Sequence, residues 1–286
     1  MSSLLDHLGR PDDARLALVV CDGLGSSNAA NLGVYGSLRN GVGTSASLQM
    51  PCPWARGAAI DYHGDDVGVA LTVNAEHDSY RWGPITHAPS LLDGDGGFPR
   101  TPADLWEHAD LEEVRRECRA QVERAVLWGF DVTHLSAHLH ALCARPEFFD
   151  VYLDLAHDFA LPISLPQPSV DLGFPARELA HAEDILFADD VVTLPHDDGG
   201  IAAVLDGLRP GVTELHLRPA FETPELRAIT PDWADRVADT ELAHSPVLWQ
   251  GLEERSIELI SFRDLRTAQR SLDGTDHDHG LPSREV

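Results

Sequence analysis

Apolar positions along this chain fall into two patterns: short consecutive runs, and stretches that recur every three to four residues. The runs predict strands at 16–21, 44–50, 67–73, 131–135, 161–165, 189–194, 212–217 and 256–261. Helical spacing fills the intervals, at 28–39, 53–62, 111–129, 146–159, 198–208, 230–242, 246–254 and 263–270. The clearest helix is 111–129. Val114, Cys118, Val122, Ala125 and Val126 share a face, Asp110 is placed to cap it, Glu112 and Glu113 suit its positive end, and Gly129 stops it. Strand–helix alternation implies a parallel sheet with right-handed crossovers. Eight strands in 286 residues make the expected architecture α/β, an irregular (β/α) barrel forming one domain over 1–270. The polar tail 271–286 is expected to be disordered. Residues 74–100, rich in Gly, Asp and Pro, and residues 166–188 are long connections of the kind that serve as lids or binding loops.

Composition narrows the function classes. With 47 acids against 21 bases the formal net charge is −26, so nucleic acid and anionic membrane are poor partners. Lysine is absent, which excludes Schiff-base and P-loop chemistry. The four cysteines, at 21, 52, 118 and 143, form no Cys-x-x-Cys pair. The N-terminus carries no basic-then-apolar signal pattern, and no apolar run approaches 18 residues, so a reducing cytoplasm is the expected home. The expected partner is a small-molecule substrate, with a homodimer left open.

Sites in parallel barrels sit at the C-terminal strand ends. That rule selects Asp22, the loop after Val73, the His134–His140 stretch and the loop after Leu217. His134, Ser136, His138 and His140 share one parity. If fully extended, His134 and His140 stand roughly 20 Å apart, too far for one metal. Arg81 beside Trp82 suits sugar stacking or anion recognition. Ser26 or Ser27 can cap the first long helix.

Three stretches, Val19-Val20-Cys21-Asp22-Gly23-Leu24-Gly25, Val67-Gly68-Val69-Ala70-Leu71-Thr72 and His134-Leu135-Ser136-Ala137-His138, resemble the signatures of the YdjC/ChbG-like carbohydrate deacetylases. The resemblance covers roughly 14–270 and implies a polysaccharide-deacetylase-like barrel. It implies that Asp22 stands at the family's general base and His138 at a metal histidine, and that Asn31 matches a family asparagine. It also implies five losses. Gly23 stands for the metal-binding acid, Ala70 for the first metal histidine, Ser136 for the middle acid, Ser164 for an arginine, and Arg218 for the histidine that looks like the general acid. Arginine stays charged and cannot deliver that proton.

The expectation is therefore a metal-independent enzyme, holding no cofactor, that performs acid–base chemistry such as elimination, isomerisation or cyclisation on a small polar or sugar-like molecule. Its catalytic candidates are Asp22, His138 and His134. Its substrate-binding candidates are Asn31, Tyr80, Arg81, Trp82, His140 and Arg218. Two alternatives stand beside it. One is a Zn- or Mg-dependent N-deacetylase with ligands drawn from His134, His140, His77 or Glu76. The other is a non-catalytic binding protein.

Overall fold

The apolar run at 16–21 becomes the inner part of the central strand, β1 (Arg15–Leu24), fully buried from Leu16 to Cys21. The structure, a computed structural model, describes residues 3–272 and 274. Around β1 stand β2 (Ser45–Leu48), β3 (Val67–Leu71), β4 (Val132–Ala137), β5 (Asp190–Thr193), β6 (Gly211–Leu217) and β7 (Ile257–Leu259). All pairings are parallel, in the order β4-β3-β2-β1-β6-β5, with β7 beside the first residues of β1. Helices fill the crossovers, as strand–helix alternation requires.

The expected strand at 161–165 is a correction. Pro162 and Pro166 remove two ladder donors, and what remains is a single bridge from Ile163 to Leu135. That bridge still carries the ring round. Leu135 N–H donates to Pro162 O at 3.0 Å, Ser164 N–H to Leu135 O at 2.9 Å, and Ile163 N–H to Leu186 O at 3.0 Å. The barrel is irregular because this arc is held by single hydrogen bonds and not by a ladder. The sequence pattern also passed over short helices at Leu4–His7, Pro102–His108, Ala176–Ala182 and Pro224–Ile229. Of the expected tail, Ser271 and Leu272 end the last helix; the rest, apart from Gly274, lies outside the described residues.

Two elements position the site. The helix Leu111–Leu127 is capped by Asp110, which accepts from Glu112 N–H at 2.9 Å and Glu113 N–H at 3.1 Å. Its buried face carries Glu117 and Gln121 among the apolar residues. Glu117 accepts from Ile85 N–H (3.1 Å), Thr86 N–H (2.9 Å) and the Thr86 hydroxyl (2.6 Å), and Gln121 clasps the backbone of Thr72. The helix thus fastens the long 74–100 connection from beneath, so this loop is an anchored wall of the site. The second element is the inner face of the barrel. On β1, Leu16, Leu18 and Val20 pack with Val212 and Phe262, and the next inward position up the strand is Asp22. No helix among the described residues is long and apolar enough to cross a membrane.

Candidate functional site

A cleft of about 580 Å³ opens at the C-terminal ends of the strands. It is lined by Asp22 from β1, Ala70 from β3, Ser136 to His140 after β4, His216 and Arg218 at the end of β6, and Glu76, His77, Tyr80 and Trp82 from the 74–100 loop. The end of the barrel that the rule selects therefore carries this cleft. Several of the residues chosen for it need reassignment.

At its base lies a hydrogen-bonded chain of acids and a histidine. Asp22 Oδ2 takes His216 Nδ1 at 2.8 Å, and His216 Nε2 meets Glu214 Oε2 at 2.9 Å. Glu214, fully buried, also accepts from the Ser164 hydroxyl at 2.6 Å. Burial pulls the His216 ring down, but the two carboxylates outweigh it and raise its pKa to about 10. Burial likewise pushes Asp22 up, and the His216 charge and hydrogen bond carry it below its ordinary 3.8. His216 is thus an imidazolium between two carboxylates. The sequence reading missed it, although Glu214 and His216 in β6, and Arg218 directly after it, follow a period of two, the signal for one strand face.

His138 lies in the cleft wall with both ring nitrogens engaged. Nδ1 meets Gln49 Nε2 at 2.9 Å, and Nε2 meets Glu76 Oε2 at 3.0 Å. Burial would raise Glu76, but the His138 contact dominates and sets it at about 2. His77 Nε2 lies 3.6 Å from the other oxygen of Glu76. Tyr80 donates its hydroxyl to Ser26 O at 2.7 Å. Trp82, only 6% exposed, donates Nε1–H to Asn74 O at 2.9 Å and is a buried wall, not the open stacking platform expected. His140 sits at the rim in the left-handed region (φ 54°), directly after Leu139 at φ 52°. Partial desolvation, then the His216 charge, lowers its pKa, and its imidazole makes no side-chain hydrogen bond to another described residue.

Three candidates lie outside the cleft. His134 is fully buried, its ring stacked on Phe262 at 3.8 Å, with Nε2 3.2 Å from the Ser47 hydroxyl and Nδ1 3.1 Å from that of Thr133. Burial depresses it to about 3, so it is a neutral core histidine. Gly68 leaves it room, since a Cβ there would stand 2.4 Å from the ring. Asn31, 2% exposed, accepts from Gly25 N–H at 2.7 Å and donates to Trp54 O at 3.0 Å, tying the turn after β1 to its neighbour. Arg81 turns away from the cleft to bond the carbonyls of Ala75 and Phe98 and the carboxylate of Asp93. Its role is to brace its own loop.

The donor set does not suit the metal that the family signature implies. Gly23 and Ala70 offer no side-chain ligand, and His138 has already committed both nitrogens. Among the described residues no group of three or more His, Cys, Asp or Glu is disposed to hold a metal ion. Gly23 also adopts φ 94°, beside a register shift between Asp22 and Leu24, a backbone that aspartate rarely takes. All four cysteines are free and buried, and burial pushes the Cys143 thiol up to about 12, so none of them offers a ready thiolate.

Comparison with known proteins bears on this geometry. A family model described as YdjC-like protein matches residues 17–254. A carbohydrate deacetylase of Thermus thermophilus is 35% identical over 271 residues, covering 88% of this chain and 98% of its own. One from Geobacillus stearothermophilus is 29% identical, covering 87% and 98%. Among solved structures, one from Enterococcus faecalis V583, described as a cellobiose-phosphate cleavage protein, superposes with a TM-score of 0.78 at 24% identity, over 88% of this chain and 99% of that one. At that identity the likeness speaks for the fold alone.

Proposed function

This chain belongs to the YdjC-like family, and from that scaffold we propose that it acts on a small polar, sugar-like molecule by acid–base chemistry without a resident metal. One observation carries the reading: two matched ligand positions are Gly23 and Ala70, while the cleft around them keeps its polar lining. Asp22 holds His216 charged and is itself a weak base. His216, protonated to about 10, does not exchange protons at neutral pH. His140, its pKa lowered by burial and its imidazole without a hydrogen-bond partner among the described residues, has a ring nitrogen to spare for a substrate proton. His138, oriented by Gln49 and Glu76, and the Tyr80–Trp82 wall position the ligand.

The test is paired. Elemental analysis is expected to find less than stoichiometric Zn, Mg, Mn or Co. Acetate release from chitooligosaccharides is expected to stay at background with each metal added. Losing an oxyanion stabiliser alone costs ~100- to 1000-fold, and here Arg218 also stands in place of the acid. One tightly held metal per chain, or metal-stimulated turnover at about 1 per second, overturns the proposal.

A second reading, a metal-dependent carbohydrate N-deacetylase with relocated ligands, draws on the names of the relatives and on Glu76, which touches both His138 and His77. It requires a bound metal that Glu76→Gln releases.

A further inference from the structure

The position of the missing acid faces a cation. A Cβ built on Gly23 would lie 3.7 Å from Arg236 Nη1. Arg236 comes from the helix Trp233–Ala243, and its side chain, 15% exposed, lines the cleft with Asp22 and His77. Its Nε donates to Asp232 Oδ1 at 3.0 Å. Asp232 is shared: Arg218 Nη1 donates to Oδ2 at 2.7 Å, and the Thr230 hydroxyl donates to Oδ1. Asp239, nearby, gives its oxygens to the Arg218 backbone N–H (2.8 Å) and to His196 (2.8 Å). Among the described residues, Asp232 alone accepts from the Arg236 guanidinium. A guanidinium carries five N–H donors, so both terminal amino groups of Arg236 keep theirs. One bond to Asp232 leaves most donors of a largely buried arginine, aimed beside Gly23, without a protein acceptor among the described residues.

We infer that Arg236, with Arg218 beside it, forms an anion-binding subsite, so that the ligand of this cleft carries a phosphate or carboxylate. The fork geometry of arginine suits either group. The inference rests on the small-polar-ligand reading and narrows its substrate class. Asp22 and Glu76, in the same cleft, repel an anion from their side. The ligand is therefore polarised, with an anionic group toward Arg236 and a neutral or cationic part toward the acids. A sugar phosphate or a sugar acid has that form.

Isothermal calorimetry on the whole protein at low salt, treated with EDTA, tests this with glucose 6-phosphate, glucuronate, glucose and inorganic phosphate. The anionic sugars are expected to bind at least about tenfold tighter than glucose, and Arg236→Gln to remove about tenfold of that, the loss of a charge-assisted partner. Glucose binding is expected to be unchanged in the variant. Arg236→Lys keeps the charge without the fork and carries the test if Arg236→Gln does not fold; an intermediate loss is expected. Glucose binding as tightly as its phosphate, failure of both anionic sugars to bind, or indifference to both substitutions overturns the subsite and leaves the metal-independent reading standing. Binding that survives Arg236→Gln and appears only when metal is restored overturns both.

Discussion

At the scale of single residues, the positions matched to the family's ligands are held by specific local contacts. Gly23 illustrates this. Its φ of 94° costs an aspartate roughly 1–2 kcal/mol, and Arg236 stands beside the space a side chain would enter. Restoring the family's ligands with Gly23→Asp and Ala70→His is therefore expected to lower the melting temperature and still leave zinc substoichiometric; elemental analysis of the purified double variant decides. His216 gives a second prediction. Its folded pKa of about 10 exceeds the ordinary 6.5, so its ion pairs stabilise fully below about 6.5 and are lost as pH rises toward 10. Asp22, held below 3.8, contributes above that value and loses its contribution in acid. Urea unfolding between pH 6.5 and 10 should show stability declining. His216→Gln, which leaves the buried Glu214 without its counter-ion, should cost about 3–5 kcal/mol and flatten that decline. An unchanged slope would mean that His216 is not the titrating group.

At the scale of elements, the 74–100 loop shows how a long connection becomes a wall. It has little regular structure of its own beyond a single turn at Pro89–Leu91. Its order comes from side chains that satisfy its backbone: Glu113 and Glu117 from a neighbouring helix, Arg81 from within. Arg81→Ala leaves the carbonyls of Ala75, His77 and Phe98 and the Asp93 carboxylate without that donor, each a lost hydrogen bond of about 1 kcal/mol or more. Amide exchange in 74–100 is expected to accelerate while the strands keep their protection. Uniform acceleration across the sheet would show instead that Arg81 supports the whole barrel. The barrel's irregular arc at Pro162–Ser164 follows the same logic, with single hydrogen bonds replacing a ladder that proline cannot complete.

For the whole molecule, the charge of −26 is the dominant global property. Acids outnumber bases by more than two to one, so repulsion exceeds the surface ion pairs that salt also weakens. Raising ionic strength toward about 0.15 M, where the screening length is about 8 Å, should therefore raise the melting temperature. A fall would show that the arginine ion pairs outweigh the repulsion. Against that negative field, Arg218 and Arg236 stand together on one carboxylate at the cleft.

The sequence alone determined the periods and the ends. Consecutive apolar residues specify buried strands and three-to-four spacing specifies helices, and the barrel rule then places Asp22, His138 and Arg218 at one mouth, which is where they lie. The loss of donors at Gly23 and Ala70 was equally legible, since a residue without a ligand atom lacks it in any fold. Depth and distant partners were not legible. His134 and His138 share a parity yet differ by four residues, about 13 Å of strand, and that depth separates a core ring stacked on Phe262 from a wall of the cleft. Asn31 and Arg81 carry groups suited to a substrate, but backbone atoms of the fold reach them first. His216 gained its charge from Asp22, 194 positions away, and Arg236 reached Gly23 from a helix on the far side of the sequence. Local pattern sets which way a side chain points; only the closed barrel decides what meets it there.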